Sequence, residues 1–521
     1  MAVHKCVGLI YSFLVSFFVE KEKLIMDRRH FLKQIGTYTL GAQLCMGAVA
    51  SALAKNRAKQ PPNVVFILVD DLGWGDLGCY GNRNIKTPNI DRLAKQGLLF
   101  THYYTSSPVC SPTRASLITG RFPSTLGIHC AMDHQKWNAQ YGMPDYLDPQ
   151  LSLLKLLQSD GYSVGHFGKW HLGVPYNPGT PTPKEYGIDE YATLATDPWP
   201  DYRRPGAYRS EWAQNNIDAA ITFIEKHPKE PFYLNVWLYD VHCTLDPSDE
   251  QMEPYKDRWK PLPSHADKNR VPMHRDHKGA IQIYSAAVTN VDTQVGRLID
   301  KLNHLGLSEN TIIVFSSDNG QCKMSPTCAH SAAGSAGPFR GCKGSLYEGG
   351  TRVPFIIRWP EKIPAGIVDD TTIISSVDFL PSVCSIAEIG IPKKTKLDGE
   401  DMSSALLGKP KKRTRPLMWE FRYNPTGAGI LDCSPMLAMR EGKWKLLMNP
   451  DRSRVELYDI IKDVSEVDNV AEANKKVVAE MSLSLLTWHK SLPSKDKIPP
   501  RAGKNAYPWP KSGKIKKNKN L

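Results

Sequence analysis

The apolar positions of this chain fall into short unbroken runs separated by amphipathic stretches. The first run, Asn63–Val69 (NVVFILV), has no polar break after its first residue. Such a run predicts a strand buried on both faces. Tyr162–Phe167, Phe232–Leu238, Thr311–Ser316 and Pro354–Arg358 read as further strands. Thr87-Pro88 predicts a helix running through Asp91–Gln96, with Thr87 as cap, Pro88 in the first turn and Gly97 as stop. Tyr284, Val288, Val291, Val295, Leu298 and Leu302 mark one face of a long helix ended by Gly306. This alternation over residues 61–408 predicts an α/β layered domain with a mostly parallel central sheet flanked by helices.

After a basic linker at Lys409–Arg413 the texture changes. Leu417–Phe421, Met436–Arg440, Trp444–Met448 and Val455–Ile460 read as strands, and Ala471–His489 as a helix. Residues 409–493 are therefore expected to form a C-terminal subdomain, a small antiparallel sheet with one helix. Residues 494–521, rich in Lys and Pro, read as a loosely ordered basic tail.

Composition is that of an ordinary soluble protein, 41% hydrophobic and 23% charged. The net charge of +13 belongs to the ends of the chain. Residues 1–60 hold nine Lys/Arg against three Asp/Glu, and residues 494–521 hold nine against one. The body between them is close to neutral, so charge gives no argument for a nucleic-acid partner.

The leader is informative. The apolar segment Cys6–Val19 is too short to span a bilayer comfortably. Asp27-Arg28-Arg29-His30-Phe31-Leu32-Lys33 resembles a twin-arginine export signal, with Asp27 where Ser or Thr is usual. An uncharged stretch from Gln34 to Ala54 follows, with small residues at its end. Residues 26–54 are thus expected to direct the chain to the twin-arginine export machinery. The mature protein would be periplasmic or extracellular, with no stable membrane span. Cys45 sits in a poor lipobox and predicts no lipid anchor. Outside the leader, and with Cys110 set aside, eight cysteines remain, an even number that permits disulfides in an exported protein; Cys322 and Cys328 can close a short loop.

The candidate chemistry follows the strands. Asp70-Asp71 follows the first run, Asp318-Asn319 follows Thr311–Ser316, Lys169 and His171 follow Tyr162–Phe167, and His242 follows Phe232–Leu238. Sites in open α/β sheets gather at the carboxyl ends of strands. Three carboxylates and an amide oxygen suit Ca²⁺ or Mg²⁺ better than zinc. Either acidic pair alone also reads as an ordinary strand-to-loop turn. Cys110-Ser111-Pro112-Thr113-Arg114 opens a helix that continues to Gly120. Residue 110 then sits at a helix N-terminus, which favours anions, with Arg114 one turn along.

CSPTR followed by ASLITGR resembles the Cys-x-Pro-x-Arg signature of the type I, formylglycine-dependent sulfatases of the alkaline phosphatase superfamily. Gly161–Gly173 (GYSVGHFGKWHLG) is similar to the second signature of that family, departing at Val164 and Phe167. NVVFILVDDLGWGDLGCYG, SSDNG at 316–320, GCKGSLYEGGTRVP at 341–354 and ELYD at 456–459 match as well. The resemblance implies an alkaline-phosphatase-like fold and sulfate-ester hydrolysis. It implies that a separate maturase converts Cys110 to formylglycine, an aldehyde that hydrates to a geminal diol. Asp70, Asp71, Asp318 and Asn319, together with residue 110, would hold one Ca²⁺. Arg114, Lys169 and Lys343 would balance charge around the diol and sulfate, His171 would bond the diol, and His242 would serve the leaving group. A diol has a second hydroxyl with which to expel sulfate, whereas a thiol would be left as a stable S-sulfate.

Residues 434–459 are similar to bacterial members grouped with arylsulfatases and N-acetylgalactosamine-6-sulfatases, which implies a sulfated glycan, or a small sulfate ester, as substrate. Trp137, Trp199, Tyr202, Arg203 and Arg204 are candidates for the pocket wall, while His166 reads as structural. Two other readings are open: a phosphonate or phosphate ester hydrolase of the same superfamily, and a non-catalytic glycan-binding relative.

Overall fold

The computed structural model describes residues 61–493 apart from 151, 176, 178, 194–208, 244, 258–278, 324–328 and 423–431. The expected leader at 26–54, the basic tail at 494–521, Cys328 and the wall candidates Trp199, Tyr202, Arg203 and Arg204 lie outside the described residues.

The unbroken apolar runs become the middle of the sheet. Strand β1 (Asn63–Val69) is buried along its whole length. The strands that follow are β2 (Leu98–Phe100), β3 (Tyr103–Tyr104), β4 (Ser163–Gly168), β5 (Glu190–Ala192), β6 (Phe232–Leu238) and β7 (Thr311–Ser317). Then come β8 (Phe355–Arg358), β9 (Ile367–Asp369) and β10 (Ile374–Ser375). Eight of them form one sheet in the order β5-β4-β6-β1-β7-β8-β2-β9, while β3 and β10 pair separately. The strands β5, β4, β6, β1 and β7 are parallel, and β8 runs antiparallel to both its neighbours.

Successive side chains of β1 feed opposite layers. Val64, Phe66 and Leu68 join a core with α2 (Cys110–Thr119), α3 (Leu153–Ser159) and α6 (Phe379–Ile386). Val65, Ile67 and Val69 join another with α1 (Pro88–Lys95), α4 (Trp212–Lys226) and α5 (Ala280–His304). Helices therefore cover both faces, as a mostly parallel sheet requires. Among the described residues, no helix is long and apolar enough to cross a membrane.

The start of α1 differs from expectation. The Thr87 hydroxyl does not cap the helix; it donates to Asp91 Oδ1 (3.0 Å) and accepts from the Gly78 N–H (2.9 Å). Buried Asp292 of α5 reaches across instead and accepts from the Asn89 and Ile90 N–H groups (2.9 and 2.8 Å). A helix-end donor needs an acceptor, and here tertiary packing supplies it. Nor does Gly97 end the helix in a left-handed turn. A Cβ there would lie 2.3 Å from the Ile357 carbonyl oxygen, so glycine lets the chain enter β2 against β8.

Strands β11 (Leu417–Glu420), β12 (Leu437–Glu441), β13 (Trp444–Met448) and β14 (Glu456–Asp459) form the antiparallel sheet, on which α7 (Lys475–Ser491) packs through Met481 and Leu485. This sheet meets the α/β domain through buried charges. Lys445 of β13 reaches Glu348 (2.8 Å) and Glu466 (3.1 Å), and Tyr104 of β3 donates to Glu348 (2.6 Å). Arg440 of β12 donates to His102 Nδ1 at 3.3 Å. Cys322 is disulfide-bonded.

Burial, with Arg352 and Arg440 beside it, pushes His102 down to about 3, against the smaller pull of Glu348 and Asp369. Folded His102 is therefore neutral, and below its unfolded pKa of about 6.5 unfolding takes up a proton. Its stabilisation is fully present above that value and is lost as pH falls towards 3. Urea unfolding between pH 6 and 4 is expected to show stability falling with acid by up to about 1.4 kcal/mol per pH unit more in wild type than in His102→Gln. Equal slopes would remove His102 from this interface argument.

Candidate active site

Because β1, β4, β6 and β7 are parallel, their carboxyl ends share one rim. The register sets Val69 opposite both Leu238 and Ser317, and Gly168 opposite Trp237. Each chain leaves its strand under constraint. Asp71, His171 and Val241 have positive φ (61°, 55° and 69°), a conformation L-residues hold only where the surroundings enforce it. At Gly168 (φ 110°) a Cβ would lie 2.0 Å from the Trp237 carbonyl oxygen, so only glycine lets β4 turn beside β6 towards Lys169.

Helix α2 starts at Cys110 with Val109 as its cap, and all its residues are buried. Arg114, one turn along, ties three strand ends together. Its Nε and Nη2 donate to Asp318 Oδ2 (3.0 and 2.7 Å), Nη2 also to Asp70 Oδ2 (3.3 Å), and Nη1 to the Lys169 carbonyl (2.6 Å). Lys169 Nζ lies 2.5 Å from Asp70 Oδ2. Lys343 Nζ lies 2.7 and 2.9 Å from the two oxygens of Asp71, whose Oδ1 also accepts from Asn319 Nδ2 (2.7 Å). The Asp71 N–H donates to Asp318 Oδ1 (3.2 Å), stitching β1 to β7. His242 Nδ1 donates to the Cys243 carbonyl (2.9 Å), while Nε2 faces Asp71 Oδ2 at 3.7 Å.

His171 Nδ1 lies 3.2 Å from Cys110 Sγ, and its Nε2 donates to Asp133 Oδ1 (2.8 Å). Asp133 is a contact the sequence did not reveal. It lies in the irregular stretch Cys130–His134, where no periodicity or motif singles it out. Every other expected site residue joins this one cluster: Asp70, Asp71, Cys110, Arg114, Lys169, His171, His242, Asp318, Asn319 and Lys343. Trp137 is exposed, and His166 is buried between Trp170 and Trp237, as a structural residue would be. The two departures from the second signature are packing residues. Val164 is in the first core, and Phe167 packs on Phe223 in the second.

Burial sets the electrostatics, and charge pairing redirects them. It would raise Asp70, but Lys169, His242, Arg114 and Lys343 together hold that carboxyl well below the usual range. Burial raises Asp71 despite Lys343, and burial with the Asp70 charge raises Asp318 to about 6. It would raise the Cys110 thiol too, but Lys169 and His171 bring it down. His171 rises to about 9: burial opposes its charge, but Cys110 and Asp133 outweigh it. His242 falls well below its ordinary value through burial and Lys343.

Ligand atoms of Asp70, Cys110 and Asp318 lie within 4.8 Å of one another, as do those of Asp70, Asp71 and His242. Asp70 Oδ1 and Asn319 Oδ1 are buried with no hydrogen-bond partner. Buried oxygens without partners are costly, and a hard cation would satisfy both. The donor set therefore fits such an ion.

The sulfatase family model matches residues 62–389, and the model of the N-sulphoglucosamine sulphohydrolase C-terminal region matches 341–491. N-acetylgalactosamine-6-sulfatase of Canis lupus familiaris is 34% identical over 377 residues, covering 71% of this chain and 70% of that relative. N-acetylgalactosamine-6-O-sulfatase of Bacteroides thetaiotaomicron is 27% identical over 520 residues, covering 81% and 92%. The crystal structure of Ps i-CgsB in complex with k-i-k-neocarrahexaose superposes with a TM-score of 0.67 at 26% identity, covering 84% of this chain and 95% of that one. Matched along both its α/β domain and its C-terminal sheet, the chain belongs to the sulfatase family of sulfate-ester hydrolases.

Proposed function

We propose that this sulfatase removes sulfate from a sulfated carbohydrate, with residue 110 as nucleophile after oxidation of Cys110 to formylglycine and with one Ca²⁺ beside it. The observation that carries this reading is the meeting of Cys110, three carboxylates, one amide and three cations on a single buried rim. Asp70, Asp71, Asp318 and Asn319, with residue 110, would hold the ion. When bound, the cation would polarise a sulfate oxygen and lower the pKa of a hydroxyl at residue 110.

The chain's own residues do the rest. Arg114, Lys169 and Lys343 balance the three carboxylates, so an added divalent cation leaves net positive charge for an anionic sulfate. Fixed in a dry site, they stabilise charge growing on the sulfuryl oxygens without reorganisation. His171 Nδ1, within hydrogen-bond reach of residue 110, is placed to hold or take a proton there. His242 keeps Nε2 towards the cluster because Nδ1 is engaged by the Cys243 carbonyl. Burial and Lys343 hold its pKa well below the ordinary value, and an arriving sulfate would raise it towards that of a general acid.

The substrate class draws on relatives named for N-acetylgalactosamine sulfate and on a neighbour solved with a neocarrahexaose. Exposed Trp137 remains a candidate for sugar contact in this reading. A maturase for Cys110 and export through residues 26–54 complete the proposal, the latter resting on the leader sequence alone.

Mass spectrometry of the peptide containing Cys110, from protein made in a host with the maturase, is expected to show the aldehyde. Cys110→Ala is expected to lower aryl sulfate turnover by at least about 10³-fold while the fold is retained. An unmodified thiol in an active enzyme would contradict the nucleophile assignment. Chelation is expected to abolish turnover and Ca²⁺ to restore it, with Ca²⁺ at about 100 times its Kd adding about 2.7 kcal/mol of stability. Undiminished activity after exhaustive chelation would remove the metal from the proposal. Side by side, sulfated saccharides are expected to outperform phosphonate and phosphodiester substrates; a dominant phosphorus activity would reverse the substrate reading.

A further inference from the structure

We propose that Asp133 is a positioning residue that fixes the tautomer and orientation of His171, so that Nδ1 presents its lone pair to residue 110. The inference rests on the reading of residue 110 given above and adds a residue to it.

A carboxylate accepts hydrogen bonds and cannot donate them, so the 2.8 Å contact puts the proton of the neutral ring on Nε2. Nδ1, on the other side of that neutral ring, is then the bare nitrogen; it lies 3.2 Å from Cys110 Sγ, whose charge, the main cause that raises His171, is removed when Cys110 is converted. Without Asp133 the proton can reside on either nitrogen and the ring can turn. Some of its states would then face residue 110 with an N–H instead of a lone pair.

The fold holds Asp133 from both sides. The preceding residue, Met132, is fully buried, and its N–H donates to Ser111 Oγ (3.1 Å), next to Cys110 on α2. The following residue, His134, caps the helix Gln135–Tyr141 by accepting from the Lys136 N–H through Nδ1 (3.1 Å). The loop is thus registered against Ser111, the residue that follows Cys110. His171 is constrained from its own side by its left-handed backbone after β4. The Asp133 side chain is itself 54% exposed, at the mouth of the site. With its side chain that exposed, removing it leaves no cavity.

The test uses the full chain with Asp133→Ala and Asp133→Glu, in converted and unconverted form. In the converted enzyme, Asp133→Ala is expected to lower kcat for an aryl sulfate about 10–100-fold, part of what a well-placed acid-base group supplies, with KM within about twofold. Asp133→Glu, which keeps the acceptor, is expected to restore part of the loss. In the unconverted protein, alkylation of Cys110 by iodoacetamide at neutral pH is expected to slow several-fold in Asp133→Ala, because a misplaced Nδ1 no longer takes the thiol proton. A kcat within about twofold of wild type, or a kcat loss without slower alkylation, overturns the proposal. If wild type itself turns over no sulfate ester, the reading of residue 110 fails, and the alkylation comparison alone decides the role of Asp133.

Discussion

Alternating charge in a dry rim is the constraint on which this structure depends. Asp70, Asp71 and Asp318 are fully buried within a few ångströms of one another, a set that no protein keeps ionised unaided. Arg114, Lys169 and Lys343 make it possible, each bonded to at least one of these carboxylates. Unit charges 4 Å apart interact by about 4 kcal/mol at the effective dielectric near a protein surface, and more where water is excluded. Each desolvated ion costs several kcal/mol on its own, so the members stand or fall together. The charged groups of the site accordingly hold one another in place, and under the proposed function the same cations would receive the sulfate.

This electrostatic demand reaches well beyond the rim. Lys343 belongs to a segment whose next turns are bound to the C-terminal sheet: the Leu346 N–H donates to Ser434 Oγ (2.9 Å) and the Tyr347 hydroxyl to Glu456 (2.8 Å). Glu348, one residue on, is neutralised by Lys445 and Arg352. The small antiparallel sheet therefore acts as a buttress that holds a charged loop against Asp71. Strained backbone at Asp71, His171 and Val241 is tolerable on the same grounds, because packing and ion pairing leave those loops no alternative.

Much of this was legible in the residues. The continuous apolar run of β1 fixed that strand to the residue, and the bounds of β6 followed from a run broken once, at buried Asn235. The acidic pairs could be placed because the strands before them are parallel and end on one rim. What was not legible depended on partners distant in the chain. The cap of α1 comes from Asp292, some two hundred residues away, so the local Thr87-Pro88 signal named the boundary and mistook the acceptor. Asp133 had no local signature either, because its place follows from Met132 and Ser111 meeting across the fold. The antiparallel turn of β8 hid for a similar reason: its apolar run states burial but not direction.

Anomalous diffraction from crystals of the converted protein grown with Ca²⁺ tests the central claim most directly. The account predicts one cation bonded at about 2.3–2.6 Å to oxygens of Asp70, Asp71, Asp318, Asn319 and residue 110, with Arg114 and Lys343 undisplaced. Density for the ion elsewhere, or a lysine occupying the space between Asp70 and Asn319 in the active enzyme, would contradict it.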